Sequence, residues 1–473
     1  MEFEQRLLPK VFELGRLFVS LFLCMRDEHW NNTHTVIEAG YNPQYHKDRI
    51  LRTVFGKLRY WRAYLYNTTS IGGYYPLDIE LGLPLDGFSM LARSYAVRIA
   101  TKVSYAQTVL ILSMFLQYSP SQKTIEEMVL GLGRHTAEWF ESAPKPDGDG
   151  DVLIIQIDSK ASPTATDEEL EKRRGKRAEN PHSGSPRHRG RDKRKRRGSK
   201  KRRKKGDKSK NGKMAAIVVM YTLKRSEDGS LEGPVNKKVY ASYAPKRHAV
   251  AIARREADKR GFTKQSGKLV QIVTDGDNDL DRYIGEEEFF PEAIRAVDVF
   301  HVTEYLWEAG RCLYKEGGDE LVEWVDAQKE ALYDGRVSEI IKEINRLLGL
   351  LPKRGPDMKN RRQRLGKIGA YLDKRRDKVD YKSLREQDLE ISSGTVEGAV
   401  NYVIAKRFDS GGMRWIKERA EALLQLRCIE VNDDWDAFIS FVHDKTSKQA
   451  QQRRKNFFLK SSAPAPLPTY GIN

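Results

Sequence analysis

Apolar spacing divides the chain into a helical first part, an alternating middle and a helical end. Within residues 1–50, LLPKVFELGRLFVSLFLCM carries apolar side chains on more than one face. This mostly helical stretch is therefore expected to pack inside other structure. In RTVFGKLRYWRAYLY (52–66), bulky and basic residues alternate around Gly56 and Lys57, the pattern of a β-hairpin with one basic face. GGYYPLDIELGLPLDG (72–87) is a turn-rich connector. From Ser89 to Glu141 the helical period returns. SYAVRIATKV, YAQTVLILSMFL and KTIEEMVLGLGRHTAEWFE predict three helices, and the break at Ser119-Pro120-Ser121 is what a helix-turn-helix over 89–141 requires. APKPDGDGD (143–151) reads as a linker.

Beyond it, strand-like runs recur: VLIIQID (152–158), MAAIVVMYTL (214–223), KKVYASYA (237–244), LVQIVTD (269–275) and IRAVDVF (294–300). An amphipathic helix, HAVAIARREADKRG, separates the third run from the fourth. Three strands, a helix, a strand, a short helix and a strand is the order of an RNase H-like α/β fold. Residues 302 to about 390 turn to long helices studded with Lys, Arg and Glu, and a last helical segment runs from Gly394 to about Val431. The tail from Thr446, ending SSAPAPLPTYGIN, is polar and then Pro-rich, so residues 446–473 are expected to be disordered.

Charge changes this picture at one place. Residues 171–213 hold 22 Lys and Arg against four Asp and Glu, and their net +18 equals that of the whole chain. The remainder is neutral overall. A polycation of this density binds phosphate backbones without reading sequence, with affinity that falls steeply as salt rises. The insert 163–212 is accordingly expected to be a disordered basic arm, with Arg194, Arg196, Arg197, Lys201, Arg202 and Arg203 on DNA; RNA is the alternative ligand. Three scattered cysteines form no CxxC pair, which argues against a cysteine zinc site or a disulfide framework and fits a reducing cytosol. No apolar run reaches the roughly 20 residues of a membrane span. The expected protein is soluble and cytoplasmic, associated with the nucleoid, with no membrane partner.

Three acidic residues stand where chemistry collects. Asp158 and Asp275 each end a strand-like run, and carboxyl ends of strands are where α/β sheets bind ligands. Either is also explicable as a turn or helix-capping residue, and Asp277 and Asp279 in TDGDND compete with Asp275. Glu397, in SSGTVEGAVNYVIAKRF, falls in the first turn of a helix that Ser393 or Thr395 is placed to cap. Val400, Tyr402, Val403 and Ile404 form its expected buried side.

IQIDSK, IVTDGDNDL, VDVFHVTEYLW and SGTVEGAVNYVIAKRF-DSGGMRW-IKERAEALLQLR, taken in order, resemble a DDE transposase of a bacterial insertion sequence. The likeness is greatest to the ISKra group and more distant to Mutator-like elements. FGKLRYWRAYLY with GGYYPLDIELGLP resembles the N-terminal region of that group, so the likeness covers most of residues 50–430. It implies catalytic, metal-binding roles for Asp158, Asp275 and Glu397, with Asp298 and His301 of DVFH in support. It implies a core formed by 151–301 and 392–445, interrupted by an inserted all-α domain at 302–391. The gap of 122 positions between Asp275 and Glu397 fits such an insertion. The N-terminal region, 1–142, is then the DNA-binding part. Some relatives carry cysteines near Tyr66–Gly73; YNTTSIGG has none, so no zinc knuckle is expected.

Three carboxylates suit two Mg²⁺ or Mn²⁺ roughly 3.5–4 Å apart, hard cations that take oxygen ligands. The implied partners are double-stranded DNA, as terminal inverted repeats and target, and further copies of the chain. Lys406, Arg407, Arg414 and Trp415, after the Glu397 helix, are expected at DNA; for Trp415, stacking on an extruded base competes with core packing. A nuclease of the same fold without strand transfer, and a domesticated, non-catalytic nucleic-acid-binding protein, are the alternatives.

Overall fold

The computed structural model describes residues 1–31, 42–67, 72–84, 86–166, 168, 212–410 and 413–461. The chain forms two compact units: residues 1–142 with 433–473, and residues 143–432.

The first unit opens with a single long helix, Glu2–Asn31. Strands β1 (Asn42–Thr53) and β2 (Gly56–Asn67) pair antiparallel about the turn Val54-Phe55, and β3 (Gly72–Tyr74) adds to β2. The hairpin therefore begins ten residues earlier than its sequence pattern indicated; 52–66 is its turn and second strand. Part of its basic face is neutralised internally, because Arg49 and Arg62 both pair with Asp78. Four helices follow where three were expected: Met90–Lys102, Tyr105–Phe115, Gln122–Gly133 and Thr136–Ser142. Ser89, Ser104 and Ser121 cap the first three by accepting backbone amides, so the Ser-Pro-Ser break does begin a helix. The last helix among the described residues, Trp435–Ser461, belongs to this unit. Trp435 is buried and its indole N–H donates to Ser94 Oγ at 2.8 Å. This corrects two expectations: the second unit ends at Asn432 rather than 445, and residues 446–461 are helical. Residues 462–473 lie outside the described residues.

The second unit is mixed α/β. Strands β4 (Val152–Pro163), β5 (Gly212–Arg225), β6 (Leu231–Ser242), β7 (Leu269–Thr274) and β8 (Ile294–Val297) make one sheet in the order β6-β5-β4-β7-β8. The first three form an antiparallel meander; β7 and β8 run parallel to β4. Strand β4 is central, and Val152–Ile157 are all buried whichever face they take, which is why its sequence is apolar at every one of these positions except Gln156. Helices Lys246–Lys259, Gly394–Ala399 and Lys417–Val431 pack on strands β4–β6. Pro163 of β4 pairs with Gly212 of β5, so the basic segment leaves and rejoins the sheet at adjacent positions. Most of that segment, including Arg194, Arg196, Arg197, Lys201, Arg202 and Arg203, lies outside the described residues. After β8 come helices Val299–Leu313, Asp319–Tyr333, Val337–Leu350, Met358–Asp373 and Tyr381–Glu386. Among the described residues no helix is long and apolar enough to cross a membrane.

The outer edge of β6 is closed by side chains rather than by another strand. Asn432 accepts the Val239 amide at 2.7 Å and donates to the Val239 carbonyl at 3.0 Å. Glu421 accepts the Tyr243 amide at 2.6 Å and the Ser242 hydroxyl at 2.7 Å. Such pairing protects an edge that would otherwise template aggregation. Asn432→Ala should strand both backbone groups of Val239, which is buried, and cost about 2–3 kcal/mol. Urea unfolding followed by fluorescence should show a lower midpoint at unchanged slope; a loss under ~0.5 kcal/mol would mean water replaces the amide.

Candidate active site

The site is built at one end of the three parallel strands. The last parallel pair between β4 and β7 is Ile157–Thr274, and Asp158 and Asp275 are the next residues on each strand. Thr274 also pairs with Val297 of β8, after which the Asp298 amide donates to the Thr274 carbonyl at 2.9 Å. Three adjacent strands thus deliver three aspartates to one edge.

Glu397 reaches this edge through a strap, residues 390–396. Gln271 of β7 donates to the Glu390 carbonyl at 2.7 Å and accepts the Glu390 amide at 2.9 Å. Gln156 of β4 donates to the Ser392 carbonyl at 3.1 Å and accepts the Val396 amide at 2.9 Å. Gln271 is in register with Ile154, so both glutamines and Asp158 share one sheet face by the alternation of a strand. Both glutamines are fully buried. The strap's third anchor is Asp298, whose Oδ1 accepts the Ser393 amide at 3.0 Å. The helix Gly394–Ala399 then begins, with Glu397 exposed in its first turn.

Its cap differs from the sequence expectation. Ser393 occupies the capping position but makes no side-chain cap; its hydroxyl donates to Glu397 Oε1 at 3.4 Å. The Val396 amide is satisfied instead by Gln156, from another element. Beyond Ala399 the helix widens to a π-turn, Val400–Ala405, a local form frequent at functional sites. Val403 and Ile404 are buried, while Val400 and Tyr402 are half-buried.

The acids differ in character. Asp298 is fully buried and caps the helix Val299–Leu313, accepting the amides of Phe300 and His301. His301 Nδ1 lies 3.3 Å from Asp298 Oδ2. Burial works to raise Asp298, but the hydrogen bonds from His301 and Ser393 outweigh it and hold the carboxyl below its usual range. The same hydrogen bond to Asp298 pushes His301 up to about 9, against the desolvation of its half-buried ring. Asp158 goes the other way: burial raises it, and the neighbouring Asp275 charge raises it further. One Asp158 oxygen accepts the Ser159 amide at 2.6 Å, and one Asp275 oxygen accepts the Asp277 amide at 2.9 Å.

The competing acids resolve. Asp277 caps the helix Asn278–Ile284 and pairs with Lys246 at 2.8 Å, and exposed Asp279 sits 3.5 Å from Arg282. Asp275 is the acid left facing Asp158. Its loop is braced from the helix Met358–Asp373 and the turn just after it: Tyr371 donates to the Asp275 carbonyl at 3.2 Å, and Arg375 to the Gly276 carbonyl at 2.5 Å. Gly276 has φ +76°, and the Tyr371 hydroxyl fills the space a Cβ would need, so only glycine fits.

Ligand atoms of Asp298, His301 and Glu397 lie within 4.8 Å of one another. Among the described residues the expected trio, Asp158, Asp275 and Glu397, does not close to that distance. The donor set is one of hard oxygens with a single imidazole, and it fits Mg²⁺ or Mn²⁺ chemistry. Asp298 is the acid most committed to hydrogen bonds within the fold.

Two residues expected at DNA prove structural. Arg407 and Trp415 are buried, with the guanidinium 4.8 Å from the indole centroid. The Trp415 indole donates to the Phe408 carbonyl at 3.1 Å, and its amide donates to the Pro163 carbonyl at 3.1 Å. Trp415 therefore ties the Glu397 helix to the end of β4 and is no base-stacking platform. Lys406 and Arg414 are exposed. Sequence reasoning passed over Gln156 and Gln271. The signal was present, since each is the lone polar residue inside an apolar strand run.

Two predictions follow from this geometry. In metal-free protein the His301 ring should titrate near pH 9, and Asp298→Asn should bring it back toward its ordinary 6.5, read by NMR of the ring carbons. Because the folded pKa is the higher, the stabilisation from charged His301 is complete below pH 6.5 and lost as pH rises through about 9. A midpoint near 6.5 in the wild type would refute the Asp298 pairing. Gln156→Leu should release the Val396 amide, raising its hydrogen-exchange rate at least ~10-fold while β4 and β7 amides keep theirs.

Comparison of the chain with protein-family models gives no match, and comparison with curated proteins gives none.

Proposed function

We propose that this protein is a DDE transposase, akin to the ISKra group, that cleaves the ends of its element and joins them to target DNA. The observation that carries the reading is the convergence of Asp158, Asp275 and Asp298 at the ends of adjacent parallel strands, with Glu397 strapped to the same sheet by Gln156 and Gln271. The strand order β6-β5-β4-β7-β8, an antiparallel meander extended by two parallel strands, supports an RNase H-like core. The helices between Val299 and Glu386 then correspond to the inserted all-α domain, of which Tyr371 and Arg375 brace the Asp275 loop.

In this reading Asp158, Asp275 and Glu397 would hold two Mg²⁺ or Mn²⁺, which would supply activation of a water or 3′-hydroxyl and charge stabilisation for the leaving oxygen of an in-line displacement at phosphorus. Asp298 positions Glu397 through Ser393, and His301 keeps Asp298 charged while offering its protonated ring to a phosphate oxygen. Exposed Lys406 and Arg414 and the polycationic segment contact the DNA backbone. Two or more copies act on the paired ends.

The test is Glu397→Gln, which keeps size and hydrogen-bonding reach but removes the charge a divalent cation requires. End-DNA binding should stay within about twofold, while nicking and joining fall at least ~100-fold. Glu418→Gln, at an exposed position in the first turn of Lys417–Val431, is the control and should keep activity. Full activity of Glu397→Gln removes the third carboxylate from the mechanism. Nicking without joining by the wild type assigns the chain to the nucleases instead.

A further inference from the structure

The helix Glu2–Asn31 has two apolar faces and uses one of them within the unit. On the used face, Val19 and Leu23 join the core of Leu51, Leu58, Tyr60 and Leu77. The Asp27 carboxylate accepts the Ala63 amide of β2 at 3.1 Å, and the Phe55 ring lies where a Cβ at position 15 would stand, Gly15 having none. This contradicts the expectation that the helix is packed inside other structure: its second face is open. Leu7, Val11, Leu14, Phe18, Leu21 and Met25 recur at alternating intervals of four and three residues, and they are 46% to 63% exposed. Leu8, Leu17 and Phe22 widen the stripe and are more than half exposed.

Alternation of four and three is the seam of a coiled coil, with Val11, Phe18 and Met25 in one core position and Leu7, Leu14 and Leu21 in the other. Between Leu7 and Met25 no charged residue interrupts that register. Nine half-exposed large side chains at about 100 Å² each offer roughly 900 Å² per protomer, which matches one side of a standard protein interface and exceeds the apolar patches of ordinary monomers. We propose that this helix pairs with its counterpart in a second copy of the chain, a symmetric contact in which one seam meets itself.

Other occupants fit less well. The sequences of the undescribed residues, 32–41, 68–71, 85, 167, 169–211, 411–412 and 462–473, contain no stretch with this repeat. The charges beside the stripe, Glu2, Glu4, Arg6, Lys10 and Glu13, sum to −1, whereas helices that lie on anionic lipid are basic on the polar face. The pairing does not rest on the reading of the carboxylate site.

Sedimentation velocity of the full, nucleic-acid-free chain in 0.5 M salt tests it. The wild type should sediment as a dimer at micromolar concentration. Leu14→Glu with Phe18→Glu should be monomeric, its dissociation constant raised at least 100-fold. Both side chains face away from the hairpin, so helix content by circular dichroism should be unchanged. In a Cys24→Ser background, Leu14→Cys should form a disulfide-linked dimer on mild oxidation and Glu13→Cys should not. A wild type that stays monomeric at 50 μM overturns the proposal, as does a dimer that survives both glutamates. Monomeric wild type that sediments with anionic vesicles, and loses this in the double glutamate variant, assigns the seam to lipid and also overturns it.

Discussion

The arrangement of the acidic site depends on two buried side-chain amides. Gln156 and Gln271 project from the middle of the sheet and hold residues 390–396 by four hydrogen bonds to backbone groups. An unpaired buried amide costs several kcal/mol, so a glutamine in a strand core is tolerated only where every partner is present. Tyr221 completes the set, accepting from Gln156 at 3.2 Å and donating to Glu390 at 2.9 Å. The strap is consequently fixed in register against β4 and β7, the strands that carry Asp158 and Asp275. A residue more than a hundred positions downstream is brought to those aspartates by main-chain recognition, with Leu389 and Val396 buried at the two ends of the strap.

Charge then sorts the acids. Asp298 is buried, ionised and engaged by His301, Phe300 and Ser393, so its work is to hold geometry. Asp158 is pushed toward neutrality by burial and by Asp275. Two carboxylates that repel one another in a half-buried cleft are stabilised by any divalent cation placed between them. For the proposed function, this is the physical reason to assign Asp158 and Asp275 as ligands ahead of Asp298, even though Asp298, His301 and Glu397 form the tighter group.

The sheet was legible because its central strands β4, β5 and β7 are buried over most of their length and read as largely apolar runs; all five runs became strands, with ends shifted by up to six residues. Strand β1, NPQYHKDRILRT, was not legible, because its composition is polar and its pairing partner supplies the order. Burial of Arg407 and Trp415 was equally hidden: basic and aromatic residues after the Glu397 helix look alike in sequence whether they meet a polyanion or each other. Their stacking and the Trp415 contacts to Pro163 and Phe408 are tertiary facts. The strap was half legible, since two lone glutamines in apolar strands announce buried hydrogen bonds without naming their partners. The long N-terminal helix had its two apolar faces in view, but only the hairpin beneath it shows which face is used.

The central claim is that the sheet's glutamines, acting through the strap, set the geometry of the carboxylates. Mn²⁺ binding followed by electron paramagnetic resonance tests it on a variant that keeps every acid, Gln156→Leu. The account predicts that the wild type binds Mn²⁺, that Asp158→Asn and Asp275→Asn each abolish the tighter site, and that Gln156→Leu weakens binding at least ~10-fold, as for loss of other supports behind a metal ligand. Mn²⁺ binding in Gln156→Leu equal to the wild type, with the chain folded, would contradict it.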